Sequence, residues 1–174
     1  MQQPVPASPK TSSIAYLTKN YANYNYWANK TLVDWLRTKP ADVLAREVPS
    51  SFPSIQKTMV HYWQTQCFWL GIMREGVQPA MEPYTGSLED IFDAVVNQSR
   101  EMAEYIGSLT DGEIERPTLV KNPWFECNFP NFEYVVQVMN HSTYHRGQVI
   151  TIGRNLGFTD APMTDYNYYN VYGK

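Results

Sequence analysis

Histidine and cysteine are scarce in this chain, with three of the first and two of the second among 174 residues. The two cysteines, Cys67 and Cys127, lie far apart and outside any Cys-x-x-Cys pair. That excludes a disulfide framework and a cysteine-rich zinc knuckle. No uninterrupted apolar run approaches the ~20 residues a membrane-spanning helix needs. Neither sign of charge dominates: the formal net charge is -3 and the isoelectric point about 5.6. The field that would draw the protein onto nucleic acid or an anionic bilayer is therefore missing. The stretch Met1–Pro9 has neither the basic start nor the apolar run of a signal peptide. Together these absences predict a cytoplasmic protein with no nucleic-acid and no membrane partner.

What the chain does contain is aromatic residues, 14% of the total with thirteen tyrosines and five tryptophans, and an ordinary hydrophobic share of 43%. Apolar residues recur at three- and four-residue spacing in four long segments, the signature of amphipathic helices. The first runs over 13–39, capped by Ser12 or Ser13 and ended by Pro40, with Ile14, Leu17, Tyr21, Tyr24, Ala28, Leu32, Trp35 and Leu36 on its stripe. Its asparagines, Asn20, Asn23, Asn25 and Asn29, read as a solvent-facing side. The second runs over 55–75 behind the N-cap Ser54 and stops at Gly76. The third covers 88–109 and opens on Ser87 and Asp90, a capping-box pattern. The fourth covers 132–156 and stops at Gly157.

Periodicity is lost between 110 and 130, where two short extended pieces around Asn122 and Pro123 suggest a hairpin-like lid within an irregular connector. The tail from Phe158 is irregular, and its tyrosines are expected to pack over the helices. Residues 1–12, rich in proline and serine, read as a disordered or loosely packed arm ahead of one domain over 13–174. The fold class is all-α, a four-helix bundle.

Two of the three histidines, His141 and His145, stand four residues apart in the fourth helix and so project from one face, a turn apart. His145 falls on the core-facing stripe with Val138, Ser142, Val149 and Ile152. The third, His61, lies midway along the second helix. Histidines buried in a core can satisfy their nitrogens with backbone or hydroxyl partners. Against that reading, no acidic residue shares the stripe, and burying three imidazoles with nothing to coordinate is costly. A shared divalent ion removes that cost. Three neutral nitrogen donors describe an open site, with the remaining positions left to water or substrate. Imidazole ligation suits zinc, nickel, iron or copper. Ser142 stands where a zincin would carry its catalytic glutamate, so this turn supplies no carboxylate base. Arg146 points off the histidine stripe and reads as one half of a structural or interface ion pair. Gly147 reads as a point of close helix approach, and Gln148 as a packing residue or a neighbour of metal-bound water. Cys67 reads as a small core residue.

The run Asn140-His141-Ser142-Thr143-Tyr144-His145-Arg146-Gly147-Gln148-Val149, followed by Gly157-Phe158 and Ala161-Pro162-Met163-Thr164-Asp165-Tyr166, resembles the closing segment of the DinB/YfiT-like family. Tyr24-Asn25-Tyr26-Trp27-Ala28-Asn29 is similar to that family's first helix, and Ser54-Ile55 through His61 to its second. The resemblance covers nearly the whole chain. It implies a four-helix bundle with a divalent metal ion, zinc or nickel foremost and iron next, held by His61, His141 and His145. It also implies a homodimer and a small-molecule substrate, with a low-molecular-weight thiol as co-substrate. The expected activity is a thiol-dependent S-transferase or hydrolase acting on a small electrophile through a metal-bound thiolate or water. The alternative is a non-catalytic helical stress or interaction protein stabilised by its metal.

Overall fold

Three of the four long helices start where a side chain takes up an orphaned backbone N–H. The computed structural model describes residues 12–174. The expected arm over 1–12 therefore lies outside the described residues apart from Ser12, which caps α1 (Ser13–Leu36) by accepting from the Ala15 N–H. Ser54 caps α3 (Ile55–Glu75) by the same kind of bond, and Gly76 ends it with φ +70, a left-handed turn that costs a side-chain-bearing residue more. Ser87 and Asp90 form the full reciprocal capping box of α4 (Leu88–Ser108). The last long helix, α6, spans Asn131–Asn155. A one-turn helix, α2 (Ala41–Leu44), lies between α1 and α3. Helix α1 ends three residues earlier than its periodicity suggests, because the chain tightens into a turn ahead of Pro40.

Helix α1 packs on α4 and α6, and α3 packs on the same two, so the four long helices close a ring in the order α1, α4, α3, α6. The expected all-α bundle is what forms. Its apolar interior falls into two parts. One gathers Trp69, Met73, Met102, Ile106, Tyr134 and Val138. The other gathers Leu36, Ile55, Met59, Phe92, Val95 and Val149. A fully buried side chain of this kind stabilises by about 1.5–3 kcal/mol, so both parts act as clamps on the helices.

Between these parts, on every helix, the buried positions turn polar. Asn25 and Asn29 of α1, Gln66 of α3, Ser99 of α4 and Arg146 of α6 are all buried. Asn25 and Asn29 thus occupy the interior, contrary to the solvent-facing reading; only Asn23 of that series is exposed. A helical stripe carrying asparagine is read as outward by polarity alone, and here the inward partner, a guanidinium, comes from a helix more than a hundred residues away.

The 110–130 segment is more regular than expected. Thr110 and Glu113 make a second reciprocal capping box that starts a short helix, α5 (Asp111–Glu115). The hairpin then forms from β1 (Pro117–Lys121) and β2 (Glu126–Pro130), paired antiparallel with Val120 opposite Cys127. The tail is also partly helical, with α7 over Tyr166–Tyr168 running into a π-helical turn at Tyr169–Gly173. It packs over α1 as its tyrosines suggest: Tyr169 is buried against Tyr24 and Trp27, and the Tyr24 hydroxyl donates to the Thr164 carbonyl. Ile14 and Leu17, expected in the core, are instead exposed at 43% and 52%, where they border a groove shared with Phe132 and Val136.

Candidate metal centre

Helices α3 and α6 are neighbours in the ring, and their packing brings the three histidines together. One ring nitrogen from each of His61, His141 and His145 can be chosen so that all lie within 4.8 Å of one another. Within α6, the four-residue spacing places His141 Nε2 3.1 Å from His145 Nε2. His61 comes from the other helix, its ring 4.7 Å from that of His145 and 5.1 Å from that of His141. His145 is buried, and the other two are half-buried.

The second nitrogen of His145 has a fixed duty. Its Nδ1 lies 2.7 Å from Oε1 of Gln148. An amide oxygen can only accept, so Nδ1 carries the proton and Nε2 keeps its lone pair toward the cluster. Gln148 is therefore an orienting partner of His145, the role a supporting acceptor takes behind a ligating histidine. Thr65 on α3 accounts for its hydroxyl locally, donating to the His61 carbonyl, and Gln64 reaches away to the Glu82 carbonyl. His141 Nδ1 is buried with no partner.

Burial keeps all three imidazoles neutral. Loss of solvent pushes His141 down to about 4, aided by the neighbouring charges of His145 and His61. His61 falls below its ordinary value for the same reason, with His145 second. His145 falls through desolvation, against which its bond to Gln148 acts in the other direction. Neutral imidazoles are what a divalent ion requires, and no imidazolium proton has to be displaced at neutral pH. The set of three converging nitrogen donors thus fits a metal ion.

Among the described residues, no further histidine, cysteine or carboxylate joins the group. Two clefts border the cluster. One, of about 530 Å³, is walled by Phe52, Val60, His61 and Tyr84 with Gln56, Lys57 and Gln64. The other, of about 370 Å³, runs past Tyr144, Gly147 and Gln148. No carboxylate lines either one. Cys67 is half-buried on α3 and lines a different depression with Trp63; burial pushes its thiol up to about 11, which makes it inert as a nucleophile.

Arg146 departs from expectation. It is 2% exposed and, among the described residues, its hydrogen bonds go to amide and hydroxyl oxygens and to no carboxylate. Its guanidinium donates instead to Oδ1 of Asn25 (2.7 Å) and Asn29 (2.9 Å), to the Tyr24 hydroxyl (3.0 Å) and to the Thr143 hydroxyl (2.7 Å). The cation also lies over the Tyr24 ring. Asn25 and Asn29 pass the network on, donating to Gln66 Oε1 and to the Ser99 hydroxyl. The clasp fixes α6 against α1, and so aims the turn carrying His145. Gly147 is likewise corrected: a side chain there would meet nothing within 4 Å, so no close helix approach requires it.

A sequence model of the DinB family matches residues 10–171. The chain belongs to the DinB family. It is also similar to Protein DinB of Bacillus subtilis (strain 168), at 27% identity over 157 residues that cover 84% of this chain and 89% of that protein. Within the DinB chain described here, the histidine cluster joins the segments that carried the resemblance, α3 and α6. The clasp of Arg146 joins α6 to the third such segment, in α1. No helix among the described residues is long and apolar enough to cross a membrane.

Proposed function

We propose that this DinB-family chain is a metal-dependent enzyme whose divalent ion is held by His61, His141 and His145, with zinc or nickel the leading metals. The observation that carries the reading is the convergence of three imidazole nitrogens within 4.8 Å beside a cleft to which the described residues add no cysteine, carboxylate or further histidine. A divalent ion in such a site lowers the pKa of a coordinated water or thiol and so supplies a nucleophile at neutral pH.

The chain's own residues do the rest. Gln148 holds the His145 ring in the tautomer that presents Nε2. Helix α3 presents His61 at the mouth of the larger cleft, where a small electrophile can lie within reach. The absence of a carboxylate from the lining of either cleft favours a reactant that brings or sheds its own proton easily, as a thiol does. A thiol-dependent S-transfer to a small electrophile therefore suits the site better than hydrolysis, which gains more from a protein base.

Metal content of the purified protein, wild type and with each histidine changed to alanine, tests the ligand set. His141→Ala is expected to lose most of its bound metal, and an unchanged metal content would sink the reading. In cobalt-substituted protein, an added low-molecular-weight thiol should change the visible spectrum. A silent spectrum in metal-loaded protein would leave a structural ion in a non-catalytic protein as the better account.

A further inference from the structure

The two clefts beside the histidines are separated by one short loop, and one aromatic side chain on it covers the cluster. Phe52 stacks on the ring of His61 with centroids 4.2 Å apart and planes 22° from parallel. It also meets the ring of His145 edge-on at 5.7 Å. On one side the loop contributes Phe52 to the larger cleft, and on the other it contributes Pro49 and Ser50 to the smaller one.

The two walls of the larger cleft are built differently. The far wall is braced, because Gln56 donates to the Gly86 carbonyl, Gln64 to the Glu82 carbonyl, and the Tyr84 hydroxyl to the Ser87 carbonyl. Tyr84 is held further by the edge of Trp63. The Phe52 wall is tied at its base, by the Val48 N–H on the Pro53 carbonyl at 2.9 Å and a long 3.4 Å bond from the Thr58 hydroxyl to the Phe52 carbonyl. Packing on His61 and His145 is what positions the ring itself.

The charges at this cleft are already matched. Lys57, the one charged residue of the lining, is paired at 2.6 Å with Glu47. The apolar surface offered for recognition comes from Phe52, Val60 and Tyr84, in a volume of about 530 Å³ that suits a small molecule.

We propose that Phe52 is the specificity-determining residue of the metal centre, selecting small uncharged ligands that carry a flat apolar group next to the metal-directed one. The inference rests on the metal reading above, because the selected ligand is one whose head reaches the ion. Its flat group lies between Phe52, Val60 and Tyr84, where aromatic contact favours rings over short alkyl chains.

Two probes with the same chelating head separate the effects, benzohydroxamate and acetohydroxamate, titrated against the cobalt-loaded protein and read by visible absorption. Wild type is expected to prefer the phenyl probe by about tenfold, the scale of one aromatic contact with its burial. Phe52→Ala, and Phe52→Leu as the variant that keeps bulk in the loop, should bring that ratio to about twofold or less. Val60→Trp, which fills the cleft, should weaken benzohydroxamate and leave acetohydroxamate bound. Equal affinities in wild type, or a ratio unchanged in both Phe52 variants, would overturn the assignment while leaving the metal centre standing. Failure of cobalt to bind wild type at all would instead remove the metal reading, and this inference with it.

Discussion

Replacing Arg146 by methionine isolates the buried guanidinium, because methionine keeps the stem and removes only the charged head. Four acceptors lose their donor: the amide oxygens of Asn25 and Asn29 and the hydroxyls of Tyr24 and Thr143. The hydroxyls can turn to other partners, as Tyr24 already does by donating to the Thr164 carbonyl. The two amide oxygens cannot, since their amide nitrogens are held by Gln66 and Ser99. A buried acceptor left bare costs about 1–3 kcal/mol, and removing a desolvated cation returns part of that. The expected net loss is about 3 kcal/mol. Urea unfolding with a chelator present, so that metal contributes nothing, measures it as a lower midpoint at constant slope. Arg146→Lys should recover less than half of the loss, because one ammonium cannot bridge both asparagines and both hydroxyls. The double variant with Asn25→Ala should fall short of additivity by about 1–3 kcal/mol, as expected for groups in one network. Salt supplies a control, since a charge enclosed in the core is screened far less than one at the surface. A loss under about 1 kcal/mol, or strict additivity with Asn25→Ala, would refute the idea that α1 holds α6 through this cation.

Two further outcomes concern the three histidines and Gly147. All three histidines have folded pKa values below the ordinary 6.5, His141 down to about 4. The unfolded chain therefore takes up protons that the folded cluster refuses. Stability of the metal-free protein should be fully present above about pH 6.5 and fall as the pH drops toward 4. Urea midpoints across that range check the sign, and a midpoint that rises on acidification would contradict it. At Gly147, a methyl group meets open space in the middle of α6. Gly147→Ala should accordingly raise the unfolding free energy by up to about 1 kcal/mol, the helix propensity difference, seen as a higher urea midpoint, and a destabilised variant would mean that the site needs the bare backbone.

Local chemistry made much of the fold readable. Ser12, Ser54 and Ser87 cap their helices as their positions suggest, Gly76 and Gly157 stop theirs with positive φ, and the extended pieces around Asn122 and Pro123 do pair. The short helix α5 had a signal of its own in Thr110 and Glu113, three residues apart, that the loss of apolar period masked. Gln148 was harder to place. Its spacing from His145 allowed a role toward the cluster, and only the rotamers of both side chains made it the acceptor of the Nδ1 proton. Phe52 gave no signal as a site residue, since an aromatic between prolines and serines in a loop carries no period.

Local spacing by itself determined four helices, the N-caps of three of them and a pair of imidazoles on one face, because those depend on residues within a turn of each other. Whether His61 meets that pair, whether Asn25 and Asn29 look inward, and which loop covers the cluster are matters of partners far away in the chain. Arg146 shows the reason. A buried cation is affordable only where enough oxygen acceptors converge on it, and α1 supplies three of the four. That convergence exists only once the helices have packed.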